Sequence, residues 1–392
     1  MSTTIHGSSR YSILELIRRG GVTTRRHLAE HTGFSRSVVA QVVAELIAEG
    51  LVVERALARS AGVVSRGRPT TVLHPAASAG WVAAFDFGHQ HVGVAVAGLD
   101  SVIATEDRLE FDVDSDAPAA LDAANTLLDA ALVRLGARRS DLRAITIGIP
   151  YPVDKQTGIV RAPARLSSWA SLAPAGYLGR GAACAVLIDN DANLGAWGEH
   201  LHGAGRGASS MLYIKIADGV GAGFIVDGVV LGGARGVGGE MGHVQVDPAG
   251  AVCRCGRFGC LEAVCSSAVV RRRIDPTGSS AAPFELTAAT RPVFEDAGRS
   301  IGRVVAPLCT FLDPDIVVFG GSLGAVGEPL LAGIRASLAE FGEVSAMREV
   351  PLATAALGIR SELVGAVDRA VHAAWAADTR RRSTQPGGVL AG

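Results

Sequence analysis

The sequence predicts an α/β chain in two unequal parts: a small helical head and a larger body of two similar, strand-rich lobes. Three observations predict it. Apolar residues in the first 50 positions recur at helical spacing between Gly and Ser/Thr stops. From Trp81 onward, short apolar runs alternate with helical stretches and Gly turns, as in strands buried on both faces. Charge divides along the same line. Residues 1–74 carry ten Arg against five Glu, a net of +5, which leaves 27 basic and 33 acidic residues in the remainder, a net of −6. A basic head on an acidic body is expected when only the head meets nucleic acid.

The 392 residues exceed one ordinary core and suit two or three domains. With 48% hydrophobic residues and 49 glycines, composition favours a compact, loop-rich α/β protein over a disordered one. No apolar run approaches 18 residues and the first ten positions are polar, so neither a membrane span nor a signal peptide is expected. The expected location is therefore the cytoplasm, where thiols stay reduced. The six cysteines then read as metal ligands or core residues, not disulfides.

In the head, Ser12 to Arg19 reads as a helix stopped by Gly20-Gly21. A short second helix follows Thr23 or Thr24 as N-cap, with Leu28 and Ala29 facing inward. Thr32-Gly33 turns the chain, Ser35 caps a third helix running to Glu49, and Gly50 suits a left-handed stop. In that helix Val39, Val42, Val43, Leu46 and Ile47 form the inward stripe, while Arg36, Ser37, Ala40 and Gln41 face out. Two helices joined by a tight turn, the second led by Ser-Arg-Ser, match a helix-turn-helix whose second helix enters the major groove N-terminus first. Arg36 is suited to a guanine, Gln41 to an adenine, and Ser35 and Ser37 to phosphates. The runs Leu51–Glu54 and Thr71–Leu73 then flank a basic tip, Ser65 to Pro69. They make a wing whose Arg66 and Arg68 would follow the backbone or a narrow minor groove. The expected partner is a double-stranded DNA operator, and the head is assigned to residues 1–75.

In the body, Val82–Gly88 reads as a buried strand with Val92–Ala97 as its hairpin partner. An amphipathic helix (119–135) and two more strands, Ile145–Ile149 and Val186–Asp189, complete a first lobe over 80–190. A second round follows over 191–375. Strand Met211–Ile216, a Gly-rich turn, a hairpin strand at Phe224–Asp227 and strand Ile316–Phe319 repeat the order. A strand-hairpin-helix unit appearing twice is the plan of the two-lobed actin-like fold of sugar kinases and Hsp70, whose ligands sit between the lobes. Residues 379–392, Arg-rich and then Pro-Gly-Gly, read as a disordered tail.

These segments resemble the ROK family (repressors, open reading frames, kinases) over about residues 10 to 375. The most specific stretch is Gly219-Val220-Gly221-Ala222-Gly223 through Gly239-Glu240-Met241-Gly242-His243, continuing into Cys253-Arg254-Cys255-Gly256-Arg257-Phe258-Gly259-Cys260-Leu261-Glu262. The resemblance implies a sugar-responsive regulator, most often a repressor, when a winged helix precedes the body. His243, Cys253, Cys255 and Cys260 supply one imidazole and three thiolates, a complete tetrahedral shell for a structural Zn²⁺. The resemblance assigns the same four ligands. Cys184, Cys309 and Cys265 read as core thiols.

Polyols are held by carboxylates, amides and neutral His. Asn190, Asp191, Glu240, His243 and Glu262 provide that set, and by resemblance each matches a sugar contact. His243 would then bridge sugar and zinc through its two ring nitrogens. Asp191 also matches the base of the family's kinases, and Asp86 the acidic residue of their first phosphate turn. Both phosphate turns depart from the kinase pattern, however. Where kinases read Asp-x-Gly-Gly-Thr this chain reads Asp86-Phe87-Gly88-His89-Gln90, and where they read Gly-Thr-Gly-x-Gly it reads Ala217-Asp218-Gly219-Val220-Gly221. A carboxylate from Asp218 at ~4 Å from a phosphate costs about 4 kcal/mol at an effective dielectric near 20. Only Gln90 offers a partial substitute. Kinase activity is therefore not expected, and Asp191 reads as a vestigial base. The alternative is a bifunctional ATP-dependent sugar kinase that also binds DNA; a body that senses nothing is the third. A homodimer or homotetramer is expected from the two-fold logic of operators.

Overall fold

The structure, a computed structural model, describes residues 9–10, 12–17, 23–56, 71–76, 79–162, 168–170, 172–277, 283–342 and 350–383. In the head, the Thr24 hydroxyl caps helix α1 (Arg25–Thr32) by accepting from His27 N, and Gly33 at φ 70° ends it. Ser35 caps α2 (Arg36–Ala48) through Val38 N, with Val39, Val42, Val43 and Leu46 buried. Gly50 takes φ 70°, as a left-handed stop requires. Strands β1 (Val52–Ala56) and β2 (Thr71–Pro75) pair antiparallel from Val52↔Pro75 to Ala56↔Thr71, which makes the two sides of a wing. Its expected basic tip, with Arg66 and Arg68, lies outside the described residues.

The first lobe holds β3 (Trp81–Gly88), β4 (His91–Gly98), β5 (Ile103–Glu110), helix α3 (Ala117–Arg134), β6 (Leu142–Ile149) and β7 (Ala185–Asn190). The sheet order is β5-β4-β3-β6-β7. Helix α4 (Asp191–His202) leads into the second lobe: β8 (Ser210–Ile216), β9 (Val220–Val226), β10 (Val229–Val230), α5 (Arg291–Leu312), β11 (Ile316–Gly320), α6 (Glu328–Gly342) and β12 (Leu352–Thr354). Its order, β10-β9-β8-β11-β12, repeats the first sheet: an antiparallel meander on one side and parallel crossovers on the other.

Two placements differ from the sequence reading. The Gly-rich stretch expected as a turn is mostly strand β9. Its glycines serve contact, since a Cβ on Gly223 would lie 2.6 Å from Ala192 O and from Ala196 Cβ. They let α4 lie directly on the strand. The second difference is helix α7 (Ser361–Ser383), which runs through the first residues expected as tail and does not close the second lobe. Residues 384–392 lie outside the described residues. Leu363, Ala366, Val367, Ala370, Val371, Ala374 and Trp375 bury one face of α7 in a core shared with Val82, Ala84, Ala95 and Ala97 of the first sheet. That same core contains Ile13, Leu28, Val39, Val43 and Leu73 of the head. Burying a helical apolar stripe this way outweighs chain order in deciding where the helix docks.

Helix α7 also crosses α4 at close range: a Cβ on Gly365 would sit 1.8 Å from Leu194 O, and one on Gly198 2.4 Å from Ser361 O. Buried Glu199 ties the crossing by accepting from Ser361 Oγ (2.7 Å) and Leu357 N (2.9 Å), and Trp197 Nε1 donates to Asp368 (2.8 Å). Towards the head, His372 lies 3.5 Å from Glu15. Head, α7 and α4 are thus one packed body, and α4 begins at Asp191.

Candidate metal and effector site

After β9 the chain passes through a short turn, Met241–His243, into a loop with little apolar core of its own. Val244, Val252 and Phe258 are all about half exposed. Cys253 N donates to Arg257 O and Gly256 N to Cys253 O, both at 2.8 Å, which folds the Cys-Arg-Cys segment into a knuckle. Gly259, at φ 60°, has no room for a side chain, because its Cβ would lie 1.4 Å from Asp247 O.

The knuckle gathers the ligand atoms of His243, Cys253, Cys255 and Cys260 within 4.8 Å of one another. The Cys255 and Cys260 sulfurs are 3.7 Å apart, and Cys253 Sγ lies 3.5 Å from His243 Nδ1. Two thiolates at about 2.3 Å from one tetrahedral ion stand close to that sulfur separation. Burial pushes the Cys253 and Cys260 thiols up, so thiolates there need a cation beside them. The four residues form a cluster that fits a metal ion.

His243 turns Nδ1 to the thiols and Nε2 towards Glu240, 3.7 Å away, so the ring stands between the cluster and a cavity. This cavity, of about 310 Å³, lies between the lobes and is lined by all five residues of the expected sugar set: Asn190, Asp191, Glu240, His243 and Glu262. Asn190 caps α4 through Ala192 N (2.9 Å) and Asp191 opens the helix. Burial, then the charges of Asp191 and Glu262, push the Glu240 carboxyl up to about 7. Glu262 accepts from Val220 N at 3.1 Å.

Three further lining residues carry no binding role in the sequence reading. Lys215, buried in β8, donates to Asp191 Oδ2 at 2.7 Å and lies 3.9 Å from Glu362. Asp191 Oδ1 accepts from Ala192 N at 2.7 Å. Each Asp191 carboxylate oxygen is therefore engaged by the protein. His89 is buried at the first phosphate turn, 2.9 Å from Asp114. Arg254, between two metal-cluster cysteines, donates to Glu262 (2.8 Å), to Asp114 (2.9 Å) and to the Asp218 carbonyl (2.7 Å). The second turn is therefore bound by a guanidinium through the Asp218 backbone carbonyl. Gln90 is exposed and does not line the cavity. Asp86 pairs with His91 at 2.9 Å; burial pushes its carboxyl up, but His91 and Lys215 outweigh that and hold it at about 2.

The ROK family model matches residues 82–372, from the first strand of the body into its last helix. The chain belongs to the ROK family. A MarR family model matches residues 8–61, the helical head and the first wing strand. A xylose repressor of Caldicellulosiruptor bescii is 23% identical over 376 residues, which cover 91% of this chain and 93% of that protein. A glucokinase of Thermotoga maritima is 30% identical over 219 residues, covering 50% of this chain and 69% of its own length. Among solved structures, a ROK family transcriptional regulator described as a homologue of the Escherichia coli Mlc protein superposes with a TM-score of 0.71 at 21% identity. That match covers 96% of this chain and 98% of the other, and it shows the fold of head and body together.

On the head, Ser35, Arg36, Ser37 and Gln41 are all exposed at the start of α2. Gln41 donates to Glu45 at 3.1 Å, and the Ser35 and Ser37 hydroxyls are 2.9 Å apart. Among the described residues no helix is long and apolar enough to cross a membrane.

Proposed function

We propose that this chain is a sugar-responsive transcriptional regulator, a repressor in the first reading, whose body senses a sugar and whose head binds operator DNA. The observation that carries the reading is the single packed body of head, α7 and α4, with α4 starting at the cavity residue Asp191. A ligand that moves α4 cannot leave the head undisturbed, because packed interiors transmit displacement. The full-length likeness to a xylose repressor supports the same reading. Asn190, Asp191, Glu240, His243 and Glu262 hold the sugar hydroxyls. His243, Cys253, Cys255 and Cys260 hold a structural Zn²⁺, which stiffens His243 and the approach to Glu262. Two copies, as a homodimer or within a homotetramer, present paired readers to a two-fold operator in the cytoplasm.

Arg36 and Gln41 read the major groove and Ser35 and Ser37 hold phosphates, with Arg66 and Arg68 along the backbone or in a narrow minor groove. Arg36→Ala is expected to cost about 1–3 kcal/mol on the best operator and to relax one base position, as read by anisotropy on a substitution series. Equal loss on every sequence would remove Arg36 from base reading. The sensing half is tested by thermal shift across a panel of monosaccharides and disaccharides. A sugar at 100 times its Kd raises stability by about 2.7 kcal/mol. No shift with any sugar would reject the sensor.

The partial match to a glucokinase favours a second reading, a sugar kinase that also binds DNA. Against it stand the Lys215–Asp191 pair and the His89 and Arg254 side chains at the phosphate turns. ATP turnover with any hexose, lost on Asp191→Asn, would replace the first reading by the second.

A further inference from the structure

We propose that Arg254 is a positioning residue: it latches the two lobes together across the cleft and presets the effector cavity in its closed form. The guanidinium starts in the second lobe, in the knuckle, and reaches partners on both sides. Within its own lobe Nε donates to Glu262 Oε1 at 2.8 Å and Nη2 to Asp218 O at 2.7 Å. Across the cleft Nη1 donates to Asp114 Oδ2 at 2.9 Å and lies 2.8 Å from His89 Nδ1. A His89 ring bare at Nδ1 accepts from Arg254, and one protonated there donates to Asp114. Asp114 is itself held by Tyr151 Oη, so the latch ends on a fixed carboxylate.

His89 completes the closure from the first lobe. A Cβ on Gly219 would lie 2.7 Å from His89 Nε2, so the ring rests directly on the second phosphate turn. The two turns therefore touch through His89 and Arg254, where a nucleotide phosphate would have to enter. Only Arg suits this role: its planar fork serves three acceptors at once, which a Lys ammonium at the same place does not match. The latch also joins two functions at one side chain. Arg254 is pinned at its backbone by the metal knuckle and at its tip by the sugar-facing Glu262.

The test is hydrogen–deuterium exchange on the full chain without sugar, in wild type, Arg254→Ala, Arg254→Lys and Asp114→Ala, with metal content measured alongside. Asp114→Ala removes the acceptor in the first lobe without touching the knuckle. Exchange of residues 89–90 and 217–219 is expected to quicken about tenfold in Arg254→Ala and Asp114→Ala, with β3 and β8 unchanged. Arg254→Lys is expected to behave as Arg254→Ala, because the fork and not the charge is what spans the cleft. Sugar affinity should fall about tenfold in the same variants, since the competent closed state is then less populated. Wild-type exchange in Asp114→Ala, or quickened exchange only where metal is lost, would overturn the latch. The second readout rests on the sugar-sensing proposal. If wild type binds no sugar that proposal fails, while the exchange comparison still decides the latch.

Discussion

Cys255→Ser is expected to strip the metal from the chain, unfold the knuckle locally and weaken sugar binding together. The loop between His243 and Cys260 has little else to hold it, since Val244, Val252 and Phe258 stand half exposed and contribute almost no core. A hydroxyl replacing one of three thiolates leaves an incomplete shell, and metal affinity falls by at least 10–100-fold, the range seen even for supporting residues around a metal. Ordering a loop residue costs about 1–2 kcal/mol of backbone entropy, a debt that metal binding offsets in small metal-held folds. Metal analysis should drop from one ion per chain to near none. Amide protection over residues 244–260 should vanish while both sheets keep theirs. Sugar affinity should fall by about tenfold or more, because His243 and Glu262 flank the lost cluster. A metal-free variant with wild-type sugar affinity would break the link between the two sites.

Lys215→Met is expected to destabilise the chain by about 3–5 kcal/mol at pH 8, the usual cost of leaving a buried charge without its partner. The ammonium is buried against Asp191 and Glu362, with Asp86 close enough to feel its charge. Methionine fills the volume but leaves the carboxylates facing one another. Glu362 answers first: burial already pushes it up to about 7, despite Lys215. Without the ammonium it rises further, and an acid raised above its unfolded value favours the folded state when protonated. The deficit should therefore shrink as pH falls from 8 towards 6. Urea melts at the two pH values measure it. A deficit that is absent, or that grows on acidification, would contradict the electrostatic role given to Lys215.

Much of the fold was legible because local rules and burial agreed. Thr24, Gly33, Ser35 and Gly50 fall at the expected helix ends, and the long apolar runs became central strands. Strand β5 was missed because Ile103–Glu110 alternates exposed and half-buried residues and is rich in charge, as an edge strand is. The destination of α7 was not legible either. Its apolar stripe is plain in the sequence, but nothing in chain order says that it returns to the first sheet and the head. In the site, the cysteine spacing and the family motif led to the cluster and to five cavity residues. Lys215 did leave a signal: a lysine inside the apolar strand Met211–Ile216 needs a buried partner. Arg254 left none, because the reach of a side chain across a cleft depends on how two distant segments pack.

On the proposed function, sugar in the body controls DNA binding by the head. The direct measurement is the Kd for an operator, selected from genomic fragments, with and without a saturating sugar found by thermal shift. The expected change in that Kd is about 5- to 150-fold, the usual range of coupling between two sites. The reciprocal change in sugar affinity is expected when operator is present. The same operator Kd with and without a sugar that demonstrably binds would contradict that control.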